Sequence, residues 1–117
     1  MNLKKAKEYC RTLAGTTEDI KWGDNLVFSV GTKMYACMDE NEAAKAIAFK
    51  VDDDRFLELT DRPGIIPAPY LARMKWVLVE DLAKMPDAEA RALIRRSHEL
   101  VFAKLTKKLQ KEIEGAA

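Results

Sequence analysis

The side chains that could do chemistry in this chain are few, and their spacing does not assemble a catalytic site. His98 is the only histidine and Ser97 precedes it, so a nucleophile and a base are adjacent in the sequence. Successive helical positions point about 100° apart, however, and no third group is placed to orient the histidine. Cys37 with His98 is an equally unsupported pair. We therefore expect His98 to be a surface or partly packed helix residue, and the protein not to be an enzyme.

Acidic residues and cysteines do not form a metal-binding pattern. The consecutive aspartates at 52–54 diverge on a helix, and a predicted helix N-terminus explains them without a metal. The turn at 39–42 lacks the glycine and the terminal glutamate of a calcium loop. Cys10 and Cys37 have no second cysteine nearby, so both are predicted to be buried, reduced thiols. The sequence predicts neither a metal site nor a cofactor.

Basic residues are the stronger candidates for function. The first group of candidate nucleic-acid contacts consists of Lys21, Lys33, Arg73, Lys75 and Trp76. A second group lies in the C-terminal tail and consists of Lys104, Lys107, Lys108 and Lys111. Cations neutralise phosphates, and an exposed aromatic ring can stack on a base. We predict binding of DNA or RNA through backbone phosphates, against the simpler interpretation that these lysines only solvate amphipathic elements.

A second hypothesis is an interaction module for a small molecule or a protein, with no catalytic step. Tyr35, Tyr70 and Trp76 would supply aromatic contacts on an open face of the sheet. Arg73 would anchor an anion. This hypothesis predicts binding that tolerates salt, whereas phosphate contacts predict binding that weakens steeply as salt is added.

The first half of the chain predicts a helix followed by a run of strands. Apolar residues recur every three or four positions over 3–14, with Asn2 as the N-cap and Gly15 after the end. A short edge strand is expected around 20–22. Residues 26–30 and the segment from Lys33 alternate in polarity on either side of Gly31, which predicts a β-hairpin with Met34, Ala36 and Met38 on one face and Tyr35 and Cys37 on the other.

The second half predicts another strand, a short helix, a last strand and a long helix. Residues 47–51 alternate as a strand, and Asp52 is a candidate N-cap for a short helix that ends at 62–64. Prolines punctuate an extended crossing before the strand at 76–79. A helix starting at Pro86 carries one apolar face as far as Leu105. We predict an α+β fold, an antiparallel meander sheet with the N- and C-terminal helices packed on one face.

Length and composition indicate one globular domain over residues 1–117. Apolar residues make up 48% and charged residues 33%, which excludes a disordered tail or a membrane span. The net charge is +1, so any electrostatic recognition must be local. The charged N-terminus does not resemble a secretory signal. We expect a cytoplasmic protein that stays off membranes, as a monomer or a weak dimer with no protein partner specified.

Three segments resemble the MmcQ/YjbR family. They are GTTEDIKWG at 15–23, PGIIPAPYLARMKW at 63–76 and SHELVFAKLTKK at 97–108. The resemblance implies a frataxin-like (CyaY-like) fold and a "double-wing" type of DNA-binding domain, with no catalytic residues to carry over. Many relatives have Asn and His where this chain has Ala72 and Lys75, so a polar catalytic cluster is not implied here. Iron binding of the frataxin type is not expected either, because the first helix is basic rather than acidic.

Overall fold

The computed structural model describes residues 1–116, which form an antiparallel sheet of six strands with four α-helices. The helices are α1 (Leu3–Arg11), α2 (Asp53–Thr60), α3 (Asp87–Phe102) and α4 (Lys107–Ala116). The strands are β1 (Thr16–Lys21), β2 (Asn25–Val30), β3 (Lys33–Asp39), β4 (Ile47–Lys50), β5 (Ile65–Pro67) and β6 (Trp76–Val79). Among these helices, none is long and apolar enough to cross a membrane.

The strands follow the order β1-β2-β3-β4-β6-β5, and each neighbouring pair is antiparallel. The first four strands form the predicted meander, with β1 at the edge. The extended crossing predicted before the strand at 76–79 begins with a further strand, because residues 65–67 form β5, paired with β6. Pro67 is compatible with this position because β5 is the other edge strand, where a missing N–H donor costs little.

One face of the sheet carries the main hydrophobic core under α1 and α3. Leu3, Ala6 and Cys10 of α1 share this cluster with Ile94 and Val101 of α3. The strands contribute alternate residues to the same cluster, among them Phe28, Ala36, Phe49 and Val77. The terminal helices therefore shield the same face, and the predicted α+β architecture is confirmed.

The ends of α1 and α2 differ from the sequence-based prediction in two details. Asn2 caps α1 as predicted, since its side-chain oxygen accepts from the Lys5 amide at 2.9 Å, but the helix ends at Arg11 rather than near 14. Asp52 occupies the N-cap position of α2, as predicted. Its carboxylate makes no cap bond to α2 and instead accepts two hydrogen bonds at 2.9 Å from the Arg96 guanidinium. A bidentate charged partner is the stronger attraction for that carboxylate.

The predicted long C-terminal helix is two helices. α3 ends at Phe102, and residues 103–106 turn before α4 begins. The Gln110 Nε2 lies 3.0–3.3 Å from the carbonyls of Phe102, Ala103 and Leu105, so its two N–H donors are shared among acceptors that the helix end leaves free. Leu105 is buried beside Gly31 of the β2–β3 hairpin, so the break folds the chain back onto the sheet.

Candidate anion-binding site

The second face of the sheet carries a smaller apolar cluster that a loop partly covers. Ala48 and Trp76 pack there with Ala68, at the start of the segment 68–75 that joins β5 to β6. The Ala68 amide donates to the Trp76 carbonyl at 3.0 Å, and the Trp76 amide donates to the Leu71 carbonyl at 3.3 Å. These two bonds fold the segment back over β6. The face that the sequence predicts to be open is therefore partly closed at this end.

Two residues of this segment have unusual backbone conformations. Tyr70 and Lys75 have φ of 66° and 64°, in the left-handed region that residues other than glycine seldom occupy. They flank the short 3-10 turn of residues 72–74. Strained positions of this kind cost of order 1–3 kcal/mol each and persist where surrounding structure imposes them. The hydrogen bonds of the segment to β6 supply that constraint.

The ion pair between Arg62 and Glu89 lines part of a cavity of about 340 Å³. A smaller, basic cavity lies where second-face residues meet the C-terminal end of α3. This smaller cavity, called the lysine pocket below, has a volume of about 210 Å³. It is lined by Lys33, Met34, Lys50, Leu71, Met74, Trp76, Val101 and Lys104. Three of these eight side chains are cationic and none is acidic. The pocket is thus a small apolar chamber with positive charge in its wall.

Of the three lysines that line the pocket, Lys50 is the buried one, with 8% of its surface exposed. Its ammonium donates to the Met74 carbonyl, and its backbone N–H donates to Ser97 Oγ at 2.9 Å. Burial has the largest effect on the pKa of Lys50 and lowers it. The nearby charges of Lys104 and Lys75 lower it further, whereas the charge of Asp53 raises it. A cation in this position is poorly hydrated and repelled by its neighbours. An anion in the pocket would relieve both effects.

The predicted nucleic-acid contacts divide between two ends of the sheet. Lys33 lines the pocket, Lys75 lies beside it with its ammonium 5.1 Å from the centre of the Phe56 ring, and Arg73 is exposed on the same turn as Met74. Lys21 is elsewhere: it pairs with Asn25 at the far end of β2, whereas Lys33 pairs with Val30 at the near end. The structure therefore does not bring Lys21 together with the other candidates.

The predicted aromatic contacts also need correction. Trp76 is 3% exposed, so it forms a wall of the pocket and cannot present its ring face to a base. Tyr35 is fully buried on the helix side, not on the open face. A bulge in the β2–β3 pairing makes Phe28 face both Tyr35 and Ala36, which turns Tyr35 towards the helices and Met34 towards the second face. Of the three predicted aromatic contacts, Tyr70 alone is fully exposed.

Tyr35 has a structural role under the helices. Its hydroxyl donates to the Cys10 carbonyl at 3.2 Å and lies 2.9 Å from Thr16 Oγ1, and burial raises its pKa. The ring meets His98 edge-on at 5.1 Å between centroids. These contacts hold α1, β1 and α3 together and leave Tyr35 unavailable to a ligand.

The pairs that could suggest catalysis are structural. Ser97 Oγ donates to the Tyr35 carbonyl at 2.6 Å, so its proton is already engaged. His98 is buried and its Nε2 lies 2.7 Å from the Ala14 carbonyl, which can only accept, so Nε2 carries the proton. Cys37 packs on the second face, across the sheet from His98. Within residues 1–116, no group of three or more metal-ligating side chains could hold an ion.

Comparison with known proteins places the chain in a family. The YjbR family model matches residues 11–100, which is most of the sequence. The chain belongs to the YjbR family. No curated protein sequence matches it.

Two solved structures resemble this YjbR protein along most of its length. One is a Deinococcus radiodurans protein with a DUF419 domain, 29% identical, with a TM-score of 0.86 over 97% of this chain and 88% of that chain. The other is a Pseudomonas syringae protein, 26% identical, with a TM-score of 0.71 over 86% of this chain and 99% of that chain. These similarities support the family and the fold.

Sequence reasoning missed the two residues that define the interior of the lysine pocket. Lys50 reads as one of the outward positions of an alternating strand, and Met34 reads as a core position. The only local signal was that Lys50 shares a face with Ala48, whose small side chain leaves room on that face. Leu71 and Met74 cover Lys50 from a distant part of the sequence, and the alternation of polar and apolar residues along a strand carries no information about such long-range contacts.

Proposed function

We propose that this YjbR-family protein binds nucleic acid non-catalytically, by contacting backbone phosphates at the mouth of the lysine pocket. The single observation that carries the proposal is the convergence of Lys33, Lys50, Lys75 and Lys104, from four separate segments, around a chamber with no acidic side chain in its lining. The whole chain has a net charge of only +1, so this local concentration of charge is what would attract a polyanion.

These cations differ in how far they are exposed to solvent. Lys33, Lys104 and Arg73 are exposed and able to reach phosphates along a strand, and Lys75 is half-buried beside them. Tyr70 is fully exposed five residues before Lys75, so it offers a stacking surface to an unpaired base. This arrangement favours single-stranded over duplex nucleic acid. Free Cys10 and Cys37 support a reducing, cytoplasmic setting for the proposed role.

The proposal is tested by the salt dependence of oligonucleotide binding, measured by fluorescence anisotropy. Affinity should fall as salt rises, and Lys33→Ala, Arg73→Ala and Lys104→Ala should each reduce the slope of log K against log salt by about 0.7 for single strands. Lys21→Ala is the matched control, because it removes a lysine at the other end of the sheet and should leave the slope unchanged.

Two results would reject this function. One is the absence of binding at low salt by folded protein. The other is a Lys21→Ala variant that loses as much affinity and slope as Lys33→Ala, because binding would then be unspecific attraction to any lysine. Loss of discrimination between single strands and duplex on Tyr70→Ala would support the stacking role.

A further inference from the structure

We propose that the lysine pocket is itself a binding site for a small phosphate monoester with an apolar body. This inference goes beyond nucleic-acid binding and does not require it, since the ligand enters the chamber instead of lying across its mouth. Three features of the pocket favour this ligand: the N–H donors that Lys50 has left, the positive charge of the lining, and the apolar remainder of the wall.

Lys50 has hydrogen-bonding capacity to spare. An ammonium has three N–H donors, and within residues 1–116 the hydrogen bond to the Met74 carbonyl uses one of them. The two remaining donors lie at the wall of the chamber and are available to an acceptor inside it. A phosphate oxygen is such an acceptor.

The charge of the pocket favours a dianion. Lys33, Lys50 and Lys104 line it together, and the carboxylate that acts on Lys50 is that of Asp53, which is exposed and lies outside the lining. Lysine binds phosphate as a point charge. The three ammonium groups that line this chamber can balance the two negative charges of a phosphate monoester, whereas a carboxylate carries only one. The charge of the lining therefore matches a phosphate monoester better than a carboxylate.

The other walls require an apolar group on the ligand. Met34, Leu71, Met74, Trp76 and Val101 complete the lining. The volume of about 210 Å³ lies below the range of about 300–1,000 Å³ that drug-sized ligands occupy, so the body must be small. A single ring or a short branched chain bearing one phosphate satisfies both conditions.

The experiment titrates the protein with phenyl phosphate, inorganic phosphate and phenol while the methyl resonances of the methionines are followed by NMR. Phenyl phosphate should shift the methyls of Met34 and Met74 and leave that of Met85, which lies in the helix-side core, unchanged. Inorganic phosphate should bind at least about tenfold more weakly, and phenol should not bind at millimolar concentration. Equal affinity for phenyl phosphate and inorganic phosphate would overturn the apolar part of the proposal.

Variants separate this site from the nucleic-acid surface. Lys50→Met keeps a long, unbranched side chain without the charge and should weaken phenyl phosphate binding at least about tenfold, the loss expected for a charged hydrogen bond. Lys21→Met is the matched control and should bind normally. Arg73→Ala should weaken oligonucleotide binding and leave phenyl phosphate binding intact, so either proposal can fail alone. Full affinity in folded Lys50→Met, or no shift at Met34 and Met74 in the parent protein, would overturn the site.

Discussion

The backbone N–H of Lys50 donates to the hydroxyl of Ser97 at 2.9 Å, which joins the end of β4 to the middle of α3. The same hydroxyl donates to the Tyr35 carbonyl at 2.6 Å, so Ser97 bridges β4 and β3 at the point where their pairing stops beyond Ala36 and Phe49. Tyr35 is the bulged residue in the pairing with β2, and in the pairing with β4 the Ser97 hydroxyl takes the place of a ladder hydrogen bond. This bridge fixes α3 on the sheet and with it the position of Lys104 over the lysine pocket.

Ser97→Ala should destabilise the protein by about 1–3 kcal/mol, because it leaves the Lys50 N–H and the Tyr35 carbonyl buried without their partner. Urea denaturation followed by circular dichroism measures this loss. Ser29→Ala is the matched control, since it removes a hydroxyl from a partly exposed strand position and should cost less than about 0.5 kcal/mol. Equal losses in the two variants would contradict the bridging role.

Gly31→Ala should be more destabilising than Gly23→Ala. Both glycines have positive φ, 61° and 87°, so both variants suffer backbone strain of about 1–2 kcal/mol. A Cβ at Gly31 would also lie 2.9 Å from Leu105 Cδ1, whereas nothing lies within 4 Å of one at Gly23. Overpacking adds about 1–3 kcal/mol at Gly31 alone. Thermal unfolding of both variants checks the difference, and equal melting temperatures would contradict the packing of Leu105 on the hairpin.

The ion pair between Asp52 and Arg96 should make stability depend on acid pH. The hydrogen bonds and charge of Arg96 lower the pKa of Asp52, so folding favours the ionised carboxylate. That contribution is fully present above the ordinary aspartate pKa of about 3.9 and is lost as pH falls through the lowered value. Both side chains are partly exposed, so the pair is worth no more than about 1 kcal/mol.

Urea midpoints between neutral pH and pH 3 test the Asp52 contribution. Asp52→Asn and Arg96→Gln should each flatten the acid dependence. The double variant should behave like Arg96→Gln alone, because that change already removes the Asp52 interaction together with the weaker Arg96–Glu99 pair at 3.6 Å. Asn keeps a side chain suited to the start of a helix, so the change isolates charge from capping. Additive losses in the double variant would show that the two residues act separately.

The two cysteines should react slowly and in a defined order. Burial raises the pKa of Cys10 to about 12, and burial also raises the pKa of Cys37, which is only half-buried. Thiolate is the reactive form, so neither should be labelled by iodoacetamide near neutral pH at the rate of a free thiol. Peptide mass spectrometry should find Cys37 modified first. Labelling of Cys10 before Cys37 in native protein would contradict the packing of α1 on the sheet.

Sequence patterns predict the elements that depend on local burial. The apolar spacing in α1 and α3 reports directly which side of each helix is covered, and Gly31 marks the hairpin because its φ is positive. The break after Phe102 is missed because Leu105 continues the apolar face of α3 even though it packs on the hairpin from a turn. Periodicity cannot distinguish these two ways of burying one leucine.

The candidate site could be predicted only in part, because its assembly depends on long-range contacts. Lys33, Arg73 and Lys75 stand out as cations near turns, and the structure brings them to one end of the sheet. Lys50 gains its buried environment from Leu71 and Met74, which fold over it from another hairpin. The placement of Tyr35 depends on a one-residue bulge, and a single register shift exchanges the faces of a strand.

The most direct test of a phosphate-binding surface at the lysine pocket is a residue-resolved NMR titration of backbone amides with a single-stranded oligonucleotide of about 12 nucleotides. The account predicts shifts confined to the hairpin at 31–34, the segment 70–76 and the turn after α3 at 102–105. Amides at 19–25, where Lys21 lies, should stay unchanged. Shifts centred on 19–25, or no shifts at low salt, would contradict the account.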